Sequence, residues 1–148
     1  MTKRGKSFEI AVADIARQID PHATVSQGVW VDGPDGRREL DVSINANFEG
    51  TPRKILIECK DYKKKLGIGF LDALHSKSLD LGFDFAILCC NKGFTSPAIR
   101  KAKRLGIGLV GLLQNQDGKV TYSVVDEVFT RILQYQSLVV WFEDPEWP

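Results

Sequence analysis

The strongest chemical signal in the sequence is a pair of carboxylates and a lysine at the ends of two neighbouring apolar segments. Glu58 and Lys60 close the apolar run Ile55–Ile57, and Asp41 interrupts the alternating stretch before it. Side chains alternate between faces along a strand, so Glu58 and Lys60 project from one face and Cys59 from the other. Charged side chains that project from the same face of an apolar strand carry a desolvation cost unless a ligand or partner compensates it.

A divalent metal site would explain these residues. If the two segments pair as a hairpin, Asp41 and Glu58 lie side by side, and a cation relieves the repulsion between them. Oxygen donors favour Mg²⁺, with Mn²⁺ as a substitute, and the main-chain carbonyl of Cys59 would be a further ligand. The ion would activate water for phosphodiester cleavage, and Lys60 would position that water and stabilise the transition state. The alternative is a simple Lys60–Glu58 ion pair with Asp41 exposed.

The context of this tripeptide matters more than its pattern. An acidic residue, any residue and a lysine occur in this order three times, which is close to what chance gives for this composition. The other two occurrences are Asp61-Tyr62-Lys63, in a charged loop, and Asp117-Gly118-Lys119, in a turn. Only Glu58-Cys59-Lys60 closes an apolar strand, and this position singles it out.

The elements that must position these residues follow from hydrophobic periodicity, which predicts an α/β domain in the order α-β-β-β-α-β-α-β. An antiparallel hairpin precedes the alternating part, so we expect a mixed central sheet with parallel strands after the hairpin and helices on both sides. A core of about residues 5–112 is followed by a C-terminal strand and helix extension over 113–148, all in one domain. The predicted helices span 6–19, 70–81, 96–105 and 127–135, and the predicted strands span 29–31, 38–45, 54–60, 85–90, 107–113 and 120–125.

Local patterns refine three of these elements. On the first helix, Phe8 and Val12 mark an apolar face that mostly excludes Glu9, and Ser7 is a candidate cap. Ser96 is a candidate cap of the third helix, because a proline follows it at the first helical position. The second predicted strand alternates polar and apolar residues, with three apolar side chains expected on one face: Leu40, Val42 and Ile44.

The composition is that of one ordinary globular domain. The chain has 148 residues, of which 43% are hydrophobic and 26% charged, enough to bury a core without disulfides. No apolar run is long enough to cross a membrane, and the first residues do not resemble a signal peptide. Three cysteines and two distant histidines form no zinc or disulfide pattern. We therefore expect a reduced, cytoplasmic protein.

Positive charge is concentrated in the middle of the chain. Residues 51–104 contain twelve Lys or Arg and five Asp or Glu, a net charge of +7, whereas 1–50 carries −2 and 105–148 carries −4. The middle segment is therefore the candidate surface for a polyanion, with a solvated face as the alternative. Its candidate nucleic-acid contacts lie in one loop and one helix: Lys63, Lys64, Lys65, Arg100, Lys101, Lys103 and Arg104.

The combination of these motifs resembles the PD-(D/E)xK nuclease superfamily, and within it Mrr-like restriction endonuclease domains. The similarity covers about residues 5–112, through KSFEIAVADIARQI, GRRELDV, IECKDYKKK, LDALHSKSLDLGFDFAILCC and NKGFTSPAIRKAKRLGIGLV. It implies Mg²⁺-dependent DNA cleavage, with Asp41 and Glu58 as metal ligands and Lys60 as the catalytic lysine. It also implies that Glu9 faces the site, through water or a second ion. Lys77, on the helix after the motif, would contact the substrate, with a solvated helix lysine as the alternative.

Two features depart from many Mrr-like domains. Glu58 stands where many carry Gln, and four residues separate Asp35-Gly36 from Asp41, a longer spacing than usual. The catalytic set is complete, so we expect a DNA endonuclease of a restriction or defence system, acting as a homodimer or within a larger defence complex. The alternatives are a non-cleaving DNA-binding or assembly module of the same fold, and a junction resolvase or RNA nuclease.

Overall fold

The computed structural model describes residues 3–48 and 50–124, and their elements follow the order predicted from the sequence. The helices are α1 (Lys3–Ile19), α2 (Ile68–Asp80) and α3 (Ser96–Leu105). The strands are β1 (Thr24–Gly33), β2 (Gly36–Phe48), β3 (Thr51–Lys60), β4 (Phe85–Cys90), β5 (Ile107–Gln114) and β6 (Val120–Val124). The predicted helix over 127–135 lies outside the described residues. Within the described part of the chain, no helix is long and apolar enough to cross a membrane.

The described strands form one mixed sheet in the order β1-β2-β3-β4-β5-β6. The first three strands are antiparallel, β3, β4 and β5 are parallel, and β6 returns antiparallel to β5. The two parallel connections run through α2 and α3, which pack on one face of the sheet, while α1 packs on the other. The predicted mixed sheet with helices on both sides is confirmed.

Two apolar layers hold the helices against the sheet. The layer under α1 includes Phe8 and Ile57, whereas the layer under α2 and α3 includes Leu56 and Leu71. Successive residues of β3 therefore enter opposite layers, as strand geometry requires. The same holds in β4, where both faces of the run Phe85–Cys90 are covered, which explains its continuous apolar sequence.

The antiparallel strands β1 and β2 reverse their faces partway along. Val42 and Ile44 pack in the layer under α1, but Leu40 packs in the layer under α2 and α3, so the prediction that all three share one face is wrong. The reversal falls at Asp41, because the strand register passes from Gln27–Val42 to Val29–Leu40 and leaves Gly28 and Asp41 between these two pairs. Gly28 has a φ of +61°, a conformation that other residues rarely adopt, and a glycine inside a strand typically marks such an irregularity. Asp41 therefore lies where the side chains of β2 change from one face of the sheet to the other.

The helix starts also differ from the predictions. α1 begins at Lys3, so Ser7 lies inside the helix and its predicted role as a cap is wrong. The N-cap of α3 is Thr95, whose side-chain oxygen accepts a hydrogen bond from the Ala98 amide at 3.2 Å, and Ser96 is the first helical residue. Hydroxyl residues favour caps, which makes both serines plausible from the sequence, but the apolar faces that decide where a helix can start are set by packing.

Candidate active site

The candidate site lies where β2 and β3 stop pairing. The register between these strands runs from Phe48 and Thr51 to Val42 and Ile57, and Asp41 is the next residue beyond it. Beyond the last strand pair, the Cys59 amide donates a hydrogen bond to Asp41 Oδ2 at 2.9 Å. The Asp41 side chain thus takes the place of the main-chain carbonyl that would accept this bond in a continuous strand pair. This bond fixes the Asp41 carboxylate against β3 beside Glu58.

Three buried carboxyl groups lie in a row here, with Asp41 between the other two. Counted over the whole residue, Glu9 of α1, Asp41 of β2 and Glu58 of β3 are only 1%, 7% and 6% exposed. Asp41 is their common neighbour, because it is in hydrogen-bonding contact with Glu9 and with Glu58. The prediction that Glu9 mostly avoids the buried face of the first helix is therefore wrong. The structure places Glu9 against Asp41, so that it faces the candidate site, as the family resemblance implied.

The crowding of these groups makes their ionisation costly. Burial raises the pKa of Glu9 to about 7, and the Asp41 carboxylate adds to that rise. Burial likewise raises the pKa of Glu58 to about 7, with a further contribution from Asp41 and an opposing one from Lys77. Hydrogen bonds between carboxyl groups need a proton, so the cluster requires either bound protons or a cation to balance its charge.

One oxygen of the cluster has no partner. Within residues 3–48 and 50–124, Glu9 Oε1 is the buried side-chain oxygen or nitrogen atom without a hydrogen bond. A buried polar atom left unsatisfied costs about 1–3 kcal/mol, and more when it is charged. A metal ion or a metal-bound water would satisfy this oxygen, so the cluster fits the cation that the fold family implies.

The donor set is made of oxygen atoms. A hydrogen bond with Cys89 raises the pKa of the Cys59 thiol well above its usual range, and burial in the core layer under α1 adds to that rise, so this sulfur is a neutral core atom rather than a metal ligand. No three His, Cys, Asp or Glu side chains of the described residues converge on one point that could hold a metal. An ion here would be held by fewer side chains, together with main chain and water, which is how proteins commonly bind Mg²⁺.

Lys60 ends β3 next to the cluster. Ile57 and Cys59 pack in the layer under α1, so strand alternation assigns Glu58 and Lys60 to the opposite face. Lys60 is half-buried, and its side chain forms no hydrogen bond or ion pair with the described residues. The alternative of a Lys60–Glu58 ion pair with an exposed Asp41 is therefore not what forms.

The ion pair with Glu58 comes from Lys77 instead. The Lys77 ammonium donates to Glu58 Oε1 and also to the Glu39 carbonyl at 2.5 Å. Its side chain is only 13% exposed, so Lys77 is not a solvated helix lysine. This pairing was not predicted from the sequence, although one signal was available. Lys77 follows the buried Leu74 by three residues, which is the spacing of neighbours on one helix face.

The predicted nucleic-acid contacts lie mostly on the surface. The loop lysines Lys63, Lys64 and Lys65 are exposed, and so are three cations of α3, at positions 100, 103 and 104. Lys101 differs, because its ammonium is ion-paired to Asp72 of α2 at 2.5 Å. The lysine loop is fixed against the segment before α3, since Leu66 exchanges two main-chain hydrogen bonds of 3.0 Å with that segment.

The mixed sheet flanked by helices is consistent with a restriction-endonuclease-like fold. The family model Mrr_cat, described as "Restriction endonuclease", matches residues 2–132, a range that includes every residue of the carboxyl cluster and Lys60. The chain therefore belongs to this restriction endonuclease family. No curated protein matches it.

Two solved structures share the fold. A protein of unknown function, AF1548, matches with a TM-score of 0.61 and 22% identity, over 70% of this chain and 56% of that one. Protein VC1899 from Vibrio cholerae matches with a TM-score of 0.61 and 24% identity, over 90% of this chain and 34% of that one. The chain thus spans about half and about a third of these proteins, and the similarity at such identity is one of fold.

Proposed function

We propose that this domain is a Mg²⁺-dependent endonuclease that hydrolyses phosphodiester bonds in DNA. The observation that carries the proposal is the buried cluster of Glu9, Asp41 and Glu58, which has one unpartnered oxygen and lies beside Lys60. A core-forming role would favour apolar side chains at these positions, because buried carboxyl groups without a ligand destabilise a fold. Membership of a restriction endonuclease family supports the same reaction.

The proposal gives each acidic group a task. Asp41, Glu58 and the Cys59 carbonyl would hold Mg²⁺, for which Mn²⁺ can substitute, and Glu9 would act through water or a second ion. When bound, the ion supplies charge neutralisation at the phosphodiester and a more acidic water molecule. The chain prepares this site by anchoring Asp41 to the Cys59 amide, so that the carboxylate does not have to reorganise.

Lys60 is proposed as the catalytic lysine. Its ammonium shares the strand face of Glu58 and has no partner among the described residues, which leaves its three donors for substrate or water. It would hold the attacking water and stabilise the negative charge that builds on the phosphate. A lysine engaged in a structural ion pair could not do so without breaking that pair.

DNA binding is proposed for the exposed cations. Lys63, Lys64 and Lys65 lie a few residues beyond Lys60, and Arg100, Lys103 and Arg104 lie on α3. Such side chains bind phosphates and position the duplex without reading its sequence. Lys101 would contribute less, because its charge is already balanced by Asp72. One site cuts one strand, so double-strand cleavage in a restriction system would need a homodimer or a larger complex.

A nicking assay with matched variants tests this function. Supercoiled plasmid and a branched DNA are incubated with the protein in Mg²⁺ or in chelator, and the assay is repeated with Asp41→Asn and Lys60→Ala. The controls are Asp117→Asn and Lys119→Ala, which make the same two side-chain changes at exposed positions. We expect Mg²⁺-dependent nicking by the wild type and both controls, and none by the two site variants.

Other outcomes would overturn the proposal. Nicking that persists in chelator or in Asp41→Asn would mean that the cluster is not the active site. Tight DNA binding without cleavage of either substrate would identify a non-cleaving module of the same fold. Cleavage confined to the branched DNA, or to RNA added in a parallel reaction, would replace the general DNA endonuclease by a junction resolvase or an RNA nuclease.

A further inference from the structure

Lys77 is built into the carboxyl cluster rather than placed beside it. Its ammonium bridges two strands at the point where they part, since it donates to Glu58 on β3 and to the main-chain carbonyl of Glu39 on β2. Both side chains of the ion pair are nearly buried, at 13% exposed for Lys77 and 8% for Glu58. Two of its three donors are thus committed inside the protein, which is a poor arrangement for a phosphate contact.

The contact places a positive charge on an oxygen that a metal ion would need. Glu58 Oε1 accepts the hydrogen bond from Lys77, and the same carboxylate is in contact with Asp41. A metal ion bound by Glu58 and Asp41 would therefore meet a cation already on one of its ligands. Two positive charges at such a short distance repel each other strongly in a partly desolvated site. Lys77 and the metal would balance the same excess of negative charge.

We propose that Lys77 is a resident counter-ion that holds Glu58 in the metal-free protein and competes with the metal ion for it. The inference rests on the proposed function, because it assumes that Glu58 is a metal ligand. It assigns Lys77 a positioning role in place of the substrate contact that the family resemblance implied. The ion pair would keep the acidic cluster folded before metal arrives, and it would lower the metal affinity.

Calorimetric titration with MgCl₂ at pH 8, in the absence of DNA, tests the competition. Lys77→Gln removes the charge but keeps hydrogen-bond donors for Glu58 and Glu39, and we expect it to bind Mg²⁺ about tenfold more tightly than the wild type. Lys77→Arg keeps the charge and should bind as the wild type does. Lys101→Gln is the matched control, since it removes the charge of another lysine that is ion-paired to a carboxylate, that of Asp72.

The outcomes separate this inference from the proposed function. Mg²⁺ binding that Asp41→Asn abolishes but that Lys77→Gln leaves unchanged or weakens would overturn the role of Lys77 alone. An absence of Mg²⁺ binding in the wild type and in every variant would overturn both proposals. If Lys77→Gln is unfolded in chelator, circular dichroism is used to measure whether the variant refolds when Mg²⁺ is added. Refolding on addition of Mg²⁺ supports the counter-ion role, and no recovery at saturating Mg²⁺ overturns it.

Discussion

The buried acidic cluster and the exposed basic surface carry opposite charges in opposite environments. In the cluster, Glu9 and Glu58 both lie against Asp41 and both have a pKa raised to about 7, so each group feels the ionisation of its neighbour. The lysines of the loop over 63–65 are exposed to solvent, where water and salt screen each charge from the next. Burial thus makes charged groups energetically costly and couples their ionisation. Exposed charges contribute little to the free energy of folding, and their contributions add nearly independently.

The largest effect should come from the centre of the cluster. Asp41→Asn removes the carboxylate that touches both Glu9 and Glu58, so we expect cleavage to fall by at least about a thousandfold and Mg²⁺ binding to be lost. Single-turnover cleavage and calorimetry measure the two effects, with Asp117→Asn as the exposed control. Activity within tenfold of the wild type would mean that the cluster is not catalytic.

Lys60→Ala should separate catalysis from metal binding. The Lys60 side chain forms no hydrogen bond or ion pair with the acidic groups that would hold the metal, so its removal should leave the Mg²⁺ affinity within about twofold. Cleavage should nevertheless fall by about 10²–10³-fold, as expected when a donor to the transition state is removed. The same two assays apply, with Lys119→Ala as the control. A parallel loss of both properties would assign Lys60 to the metal site.

The metal-free protein should lose stability as the pH rises. The pKa of Glu9 and of Glu58 is raised from 4.5 to about 7 in the folded state. Between these values the native state binds more protons than the unfolded chain, so the free energy of unfolding should fall with increasing pH, by roughly 3 kcal/mol for each of the two groups. Urea unfolding in chelator at pH 5, 6, 7 and 8 measures the slope.

A variant isolates the contribution of the cluster to that slope. Glu9→Gln should flatten the pH dependence because it removes one of the two titrating groups, and Mg²⁺ at pH 8 should restore stability to the wild type. A profile that is flat, or that rises with pH, would show that these carboxyl groups do not govern stability in this range.

The smallest effect should come from the basic loop. The triple change of Lys63, Lys64 and Lys65 to Gln should make DNA binding less sensitive to salt. The slope of the logarithm of the DNA association constant against the logarithm of the salt concentration should become less steep by about 0.9 for each DNA phosphate that the variant no longer neutralises. The rate of cleavage from the bound complex should stay the same, because the exposed lysines lie outside the cluster. Fluorescence anisotropy at several salt concentrations measures the slope, and Lys119→Gln controls for the removal of an exposed charge. An unchanged slope would exclude this loop from the binding surface.

Much of the fold was predictable because its signals are local. The run at Phe85–Cys90 and the helix at Ser96–Leu105 have the predicted bounds, since a continuous apolar strand and a helix followed by glycine are recognisable from neighbouring residues alone. The predicted proximity of Asp41 and Glu58 is also what the structure has, because a hairpin with alternating residues brings the two strand ends together. The roles of these residues in cleavage stay predictions.

The sequence by itself determined the order of the elements and the candidate metal ligands, because periodicity and residue chemistry are properties of short segments. Tertiary structure alone decided which groups surround them. It turned Leu40 to the opposite face, buried Glu9 against Asp41, and paired Lys77 with Glu58 across a β-α crossover. The physical reason is that the burial and the partner of a charged side chain depend on the elements packed against it, which are distant in the chain.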